Sequence, residues 1–302
     1  MKVSGFTFLR NGVRFGYPFV PSIRSVLPIV DEFIVALGPG DDGTLEQVRA
    51  INDPKIRIIE TRWNERIRND LAVKGFVYGQ QKSIALFNCT GDWAFYLESD
   101  EVVHERDLPV IRASMERHLD DPGVECLVFD YLHFYGNRNT YAWSPAWYRR
   151  APRIIRNTIP VWAPKGLFFI VLEDQKRGRY PRAAHSGATI YHYGWARPQG
   201  EIQTTKDHIE KYWRDDVPPV RLAEIDPRVL RLFTGTHPAA IRDWLPPGEG
   251  LFQANPDHRL TARERKHRLL MTVERLFGVE LSKKHFTLVR PRAAGPAAYA
   301  GG

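Results

Sequence analysis

Five oxygen- and nitrogen-donor side chains crowd into eight positions of the stretch WAFYLESDEVVHE: Glu98, Asp100, Glu101, His104 and Glu105. The residues before them, Trp93 to Leu97, form an apolar run of the kind that becomes a buried strand. Side chains in a strand alternate between faces, so Glu98 and Asp100 share a side and Glu101 turns to the other. Two carboxylates on one side, beside a turn, suit Mg²⁺ or Mn²⁺. These cations take oxygen ligands and keep positions open for substrate phosphate. The same residues also make an ordinary solvated acidic loop ahead of a helix, whose N-terminus favours negative charge. Position in the fold decides between the two.

The surrounding patterns supply that position. Strand patterns cover 2–9, 32–37, 55–61, 93–99 and 125–136, and helix patterns cover 18–29, 44–51, 77–89 and 108–119. Thr44, with Gln47 three residues on, is the expected N-cap of the second helix. Asp107, followed by Pro109, is that of the fourth. Strands separated by helices at this spacing predict an α/β fold with a mostly parallel sheet flanked by helices. Such sheets bind ligands at the carboxyl ends of their strands. The acidic stretch follows the fourth strand.

The second half is less regular. Strands are expected at 152–157 and 188–195, and a polar amphipathic helix at 200–216. The run DDVPPV marks a boundary near 216–220. A helix at 261–278 has a Thr261–Glu264 capping box and Gly278 as its stop. Arg263, Arg265, Lys266, His267 and Arg268 give it a basic cluster. The expected organisation is a catalytic domain at 1–215, a helical extension at 216–290 and a disordered tail at 291–302.

Composition sets the outer limits. The 302 residues are 43% hydrophobic, with 8 Trp, 12 Tyr and 16 Phe, which excludes a disordered chain. A net charge of +8 favours anionic partners such as nucleotides, phosphates, nucleic acid or an acidic membrane surface. Cys89 and Cys126 lack metal-binding spacing and make no disulfide framework, so the cytoplasm is the expected compartment. The N-terminal MKVSGFTFLRNG reaches a polar turn too soon for a signal peptide. No apolar run approaches the roughly 20 residues that span a bilayer, which leaves peripheral contact at the inner membrane face as the expected form of membrane association.

GDWAFYLESDEVVHE resembles the metal-binding segment of family 2 glycosyltransferases, with VSGFTFLRNG similar to their first strand and FIVALGPGDDGTLE to their second strand and turn. RIIRN and IYHYGWAR resemble later landmarks of one bacterial branch, and the likeness covers about residues 1–215. It implies the two-lobed, Rossmann-like nucleotide-diphospho-sugar transferase fold (the A-type glycosyltransferase fold). It implies transfer of a sugar, hexosyltransferase-type, from a nucleotide-sugar donor to a glycan or lipid-linked acceptor, in building a cell-surface or secreted glycan. The implied metal ligands are Asp100, Glu98 and His192, holding Mn²⁺ or Mg²⁺. Glu98 has a second reading, as a ligand of the donor ribose or sugar, and His192 another as a packed strand histidine. Implied donor-binding residues are Thr7, Arg10, Asn11, Asp41, Asp42, Lys82, Glu98 and Trp195. Trp195 and Tyr193 could equally serve the core, and Arg10 and Lys82 could be ordinary surface charges. His104 is expected at the surface or supporting the ligands. Gly38-Pro39-Gly40 stands where many members place a base-reading Asp, which leaves base recognition to Asp41 or Asp42 or to another arrangement.

The resemblance puts an acceptor-side base near Glu173 and Asp174, with Asp130 and His133 as competitors and a plain surface turn as the alternative. Inversion at the anomeric carbon needs such a carboxylate. Two rival functions remain. A nucleotidyltransferase would want a Gly-rich phosphate loop after the first strand, of which LRNGVRFG is a weak version. A nucleic-acid-binding protein would use the 263–268 cluster, show strong salt dependence and leave the acidic stretch without a role. For that reason no nucleic-acid partner is expected.

Overall fold

The computed structural model describes residues 1–69, 74–211 and 216–289. β1 (Val3–Leu9) and β2 (Glu32–Leu37) are buried along nearly their whole length, as strands covered by helices on both sides must be. α1 (Phe19–Val26) joins them. α2 (Thr44–Arg49) leads on to β3 (Ile56–Glu60), and α3 (Phe76–Phe87) to β4 (Trp93–Tyr96). These four strands are parallel, in the order β3-β2-β1-β4. Alternate side chains feed two cores. Trp93, Phe95 and Leu97 share one with Ile23 and Val26 of α1; Ala94 and Tyr96 share the other with Ala85 and Leu86 of α3.

Next come β5 (Glu101–Val103), α4 (Leu108–Arg117), β6 (Cys126–Tyr135), β7 (Thr140–Ala142) and β8 (Arg150–Arg156). β8 runs antiparallel between β4 and β6. β9 (Val161–Trp162), β10 (Ile170–Leu172) and β11 (Gly178–Arg179) form a small separate sheet. β12 (Arg182–Trp195) lies parallel to β6 and antiparallel to β5. After α5 (Gln199–Glu210) come β13 (Leu230–Leu232), α6 (Ala262–Phe277) and β14 (Thr287–Leu288). Among the described residues, eleven strands make the central sheet. The α/β class is as the sequence implies, with the parallel run at β1–β4 and antiparallel β8 beside it.

Local chemistry moved several boundaries. β4 stops at Tyr96 and the chain turns at Ser99–Asp100 before β5, so strand alternation does not reach Asp100. Gly43, at φ 83°, caps α2 in place of Thr44; the Asp42 carboxylate accepts from the Thr44 N–H and hydroxyl at 3.3 and 2.7 Å. Asp107 precedes α4, but its carboxylate accepts from Thr189 N at 3.2 Å rather than from the helix. β12 begins six residues before the expected strand. A register shift between His185 and Thr189, with Gly187 at φ 79°, breaks the apolar alternation there. α5 ends at Glu210, and 212–215, the end of the expected helix, lie outside the described residues. The 291–302 tail lies outside them too.

The capping box and Gly278 terminator of α6 form as expected. α6 buries no residue. Paired ion contacts hold it: Arg268 to Asp226 at 2.6 and 2.7 Å, and Arg149 to Glu274 at 2.6 and 3.1 Å. The segment expected as a helical extension is not merely helical. β13 extends the sheet through β7, and β14 pairs with Arg182 and Ala183 of β12. No described helix is long and apolar enough to cross a membrane.

α3 lies directly on the loop after β9. Ser83 Oγ donates to Ala163 O and accepts from Ala163 N, both at 3.2 Å. A Cβ added at Gly79 would overlap backbone atoms of Ala163 and Pro164. Gly79→Ala, worth about 1 kcal/mol in favour of an unobstructed helix, should therefore destabilise this protein by roughly 1–3 kcal/mol. The urea midpoint reads the sign; an unchanged or raised midpoint would contradict the close approach.

Candidate active site

The turn after β4 delivers Glu98 and Asp100 to the carboxyl end of the parallel strands, and β12 brings His192 alongside. One ligand atom from each of Glu98, Asp100 and His192 lies within 4.8 Å of the others. Asp100 Oδ2 is 3.6 Å from His192 Nε2. β5 makes this meeting, since Glu101 is registered opposite His192.

A chain of ring nitrogens orients His192. His133 Nε2 is 2.7 Å from the carbonyl of Tyr148, and His133 Nδ1 is 3.1 Å from His192 Nδ1. Burial, then the neighbouring His192, push His133 down to about 3, so it is neutral at physiological pH. A carbonyl only accepts, so His133 carries its proton on Nε2 and offers a lone pair at Nδ1. His192 must then donate from Nδ1, which turns its Nε2 towards Asp100 and leaves that nitrogen as the one able to meet a cation. This is the arrangement by which an outer hydrogen bond sets the tautomer of a metal-binding histidine. Two carboxylates and an imidazole nitrogen form a donor set that fits Mn²⁺ or Mg²⁺.

Beneath the turn lies an ionic knot. Arg153 of β8 is fully buried. Its guanidinium donates to both Glu101 oxygens at 2.8 and 2.6 Å and to Glu98 Oε1 at 3.1 Å. Glu101 also accepts from Tyr131 OH at 2.9 Å and from Glu98 N at 3.0 Å. Burial opposes its charge, but Arg153 outweighs burial and holds Glu101 below the usual carboxylate range. Glu98 behaves oppositely: burial, then the charge of Glu101, raise it to about 8 against the pull of Arg153. Alternation assigned Glu101 to the far face; the turn instead tucks it under Glu98. The buried Arg153 went unremarked in the sequence, where an arginine inside the apolar run PRIIRN was the available signal.

A cavity of about 440 Å³ opens above Glu98 and Asp100. Arg10, Trp63 and Tyr78 wall one side, and Lys165, Lys283 and His285 another. Arg10 lies 5.2 Å from the Trp63 ring centre and pairs with Glu65. Lys165 comes from the loop after β9 and Lys283 from the segment before β14, and no local pattern marked either.

The remaining expected residues are scattered. Thr7 is buried and donates to Leu97 O at 2.7 Å, tying β1 to the turn. Asn11, in the left-handed region at φ 54°, and Asp42 line a second hollow of about 490 Å³ at the end of β2. Asp42 is occupied with the start of α2 and with Arg14 N at 2.8 Å, while exposed Asp41 pairs with Arg14 at 2.6 Å. Lys82 is no surface charge. It is fully buried on the inward face of α3, donates to Gly166 O at 2.8 Å, and sits 3.8 Å from the ring centres of Tyr96 and Phe169. Burial, then Arg153, drive its pKa well down.

Trp195 packs on Tyr135 and Trp147 at 6.1 and 5.9 Å, within an apolar cluster. Tyr193 stacks on Phe134 at 4.8 Å. Both serve the core. Glu173 and Asp174 occupy the exposed β10–β11 turn and do not line the cavity. Asp174 accepts from the backbone N–H of Lys176 and Arg177 at 2.8 and 2.9 Å, and Glu173 pairs with Arg179 at 3.3 Å. The surface-turn reading is the one this geometry matches, because a tight turn consumes the acid it needs. Asp130 is exposed beside Arg150. His104 turns away to Thr236 at 3.0 Å and caps the turn before α4.

No protein-family model matches the chain, and neither does any curated protein sequence. Among solved structures, S. aureus TarS 1–349 is 16% identical with a TM-score of 0.34, covering 52% of this chain and 47% of that one. Glucosyl-3-phosphoglycerate synthase from Mycobacterium tuberculosis, in complex with Mn²⁺, uridine diphosphate and phosphoglyceric acid, is 20% identical with a TM-score of 0.30, covering 44% and 43%. This chain spans about half the length of these structures or less, and likenesses so distant carry no weight for its activity.

Proposed function

We propose that the protein is a metal-dependent glycosyltransferase that moves a sugar from a nucleotide-diphospho-sugar to a glycan or lipid-linked acceptor. The observation that carries this reading is the Glu98–Asp100–His192 cluster at the cavity floor, with His192 Nε2 3.6 Å from Asp100 Oδ2. In this reading Asp100, Glu98 and His192 hold Mn²⁺ or Mg²⁺, which when bound supplies positive charge for the departing nucleoside diphosphate. His133 fixes the orientation of His192. Arg153 holds Glu98 in place directly and through Glu101. Trp63, Tyr78 and Arg10 bound the side of the cavity where a nucleoside would lie against aromatic faces. Lys165 and Lys283 make no ion pair or hydrogen bond among the described residues, which leaves their charges available to phosphate. Glu173 and Asp174 are not retained as the base. Inversion stays the stereochemical expectation, read from the anomeric configuration of the product.

Thermal unfolding with Mn²⁺ or Mg²⁺, a nucleoside diphosphate panel, or both tests the reading. The combination should stabilise more than the two alone added together, because metal and diphosphate share ligands. At a hundredfold excess over Kd the gain is about 2.7 kcal/mol. A diphosphate effect that is the same with and without metal would sink the metal-bridged site.

A further inference from the structure

The outward side of α6 carries apolar surface that the core does not use. Leu269, Leu276 and Phe277 are 65, 70 and 72% exposed, and Val279, just past the helix, is 46% exposed. Leu269 and Leu276 are two turns apart and fall on one line along the helix, with Phe277 about a quarter turn round from them, so these side chains form a ridge on one broad side of α6. A contiguous ridge of this kind marks a contact surface more often than a scatter of single residues would.

Beside the ridge runs a groove of about 750 Å³. Arg228 and Arg231 line it, with Arg268 and Arg275 from α6 and also Arg149. Two of these five are neutralised, Arg149 by Glu274 and Arg268 by Asp226. Arg231 donates only to the carbonyls of Arg228 and Leu230, at 2.7 and 2.9 Å. The guanidinium groups of Arg228 and Arg275 make no hydrogen bond or ion pair among the described residues. Three guanidinium groups therefore line the groove without an ion-pair partner among the described residues, Arg228 feeling the Asp226 carboxylate only at longer range. The cluster singled out in the sequence contributes less than its composition implied, since Arg265 is turned to Leu260 O at 2.6 Å and Arg268 is tied to Asp226.

We propose that this face docks on an anionic lipid surface, the groove taking headgroup phosphate and the ridge entering the acyl boundary. Guanidinium groups bind phosphate in paired geometry, and an amphipathic helix with basic flanks lies in the interface by its apolar side. A second copy of this chain would bring the same uncompensated arginines face to face. A nucleic acid would use the arginines but leave Leu269, Leu276 and Phe277 with nothing to bury against. Lipid satisfies both halves of the surface. The chain from Val279 reaches cavity-lining Lys283 in four residues, no more than about 14 Å of contour. A docked α6 would hold the cavity wall close to a membrane.

Flotation of the full-length protein with vesicles tests this without any donor. Vesicles of phosphatidylcholine with 30% phosphatidylglycerol, the anionic content being roughly that of an acidic membrane surface, should bind it; phosphatidylcholine alone should not, and added salt should weaken the binding. Each arginine near such a surface is worth about fivefold in affinity. Arg228→Ala/Arg231→Ala/Arg275→Ala should then lose on the order of a hundredfold, and Leu276→Ser/Phe277→Ser at least about tenfold. Stabilisation by Mn²⁺ with nucleoside diphosphate should be unchanged in both, which separates this proposal from the functional reading. Wild type that ignores anionic vesicles overturns it. So does a wild-type dimer that Leu276→Ser/Phe277→Ser converts to monomer, or variants that lose RNA binding yet keep vesicle binding.

Discussion

Asp100→Asn should lower sugar transfer roughly a thousandfold, a barrier increase of about 4 kcal/mol, and abolish tight Mn²⁺ binding. The asparagine keeps the shape of the side chain and removes the charge that would hold the cation. The folded state should be nearly indifferent. Asp100 is one of several carboxylates crowded at the turn, and Glu98 is already raised to about 8 by burial first and by Glu101 and Asp100 after it. Relieving that repulsion offsets whatever the lost contact with His192 contributed. His192→Ala should weaken metal binding by a smaller factor, because water can replace one neutral ligand. The double variant should be scarcely worse than Asp100→Asn alone, since groups acting on one ion are not additive. Metal titration by calorimetry and donor turnover check this together. Normal turnover in Asp100→Asn, or fully additive losses, would remove the two residues from a shared site.

Arg153→Met should be the most destabilising substitution at the site, by about 3–5 kcal/mol. Arg153 and Glu101 are both fully buried, and the variant leaves the Glu101 charge with only Tyr131 OH and Glu98 N as partners. Removing both charges in Arg153→Met/Glu101→Gln should recover much of the loss, because an uncompensated buried charge costs more than an absent pair contributes. The pair also sets a pH response. Glu101 is held below its ordinary value of 4.5, so its contribution is present above about 4.5 and is lost as pH falls through the depressed folded value. Urea unfolding at pH 7 and near pH 4 reads both effects. A single variant within about 1 kcal/mol of wild type would show that the knot is dispensable.

Short-range patterns carried the parts of this protein that short-range forces build. The strand patterns at 2–9, 32–37 and 55–61 became β1, β2 and β3 within one residue at each end: β1 and β2 are buried on both faces, and β3, at the sheet edge, is half-buried with Arg57 and Glu60 exposed. Thr261, Glu264 and Gly278 announced both ends of α6, because capping is complete within a few residues of chain. The carboxylates after β4 were legible for the same reason: acids interrupt the apolar run and end the strand, although Glu101 itself ends up buried.

Tertiary structure decided whatever depended on a distant partner. His192 was singled out by resemblance, but the ring nitrogen it turns towards Asp100 is set by His133, 59 residues earlier in the chain, and by the Tyr148 carbonyl. Glu101 was set on the face opposite Glu98 by alternation, but a turn at Ser99–Asp100 carried it onto Arg153. Lys82 and Trp195 read as ligand-binding types, yet each was claimed by packing, because a side chain's periodicity reports which face it occupies and not what fills that face. Lys165 and Lys283 reach the cavity from loops with no periodicity at all. The local pattern of charge and hydrophobicity determined that this chain builds a parallel sheet with acids at its carboxyl edge. Which other groups meet those acids was settled only when strands far apart in sequence paired, since that pairing depends on the combined burial of whole faces rather than on any one segment's own preference.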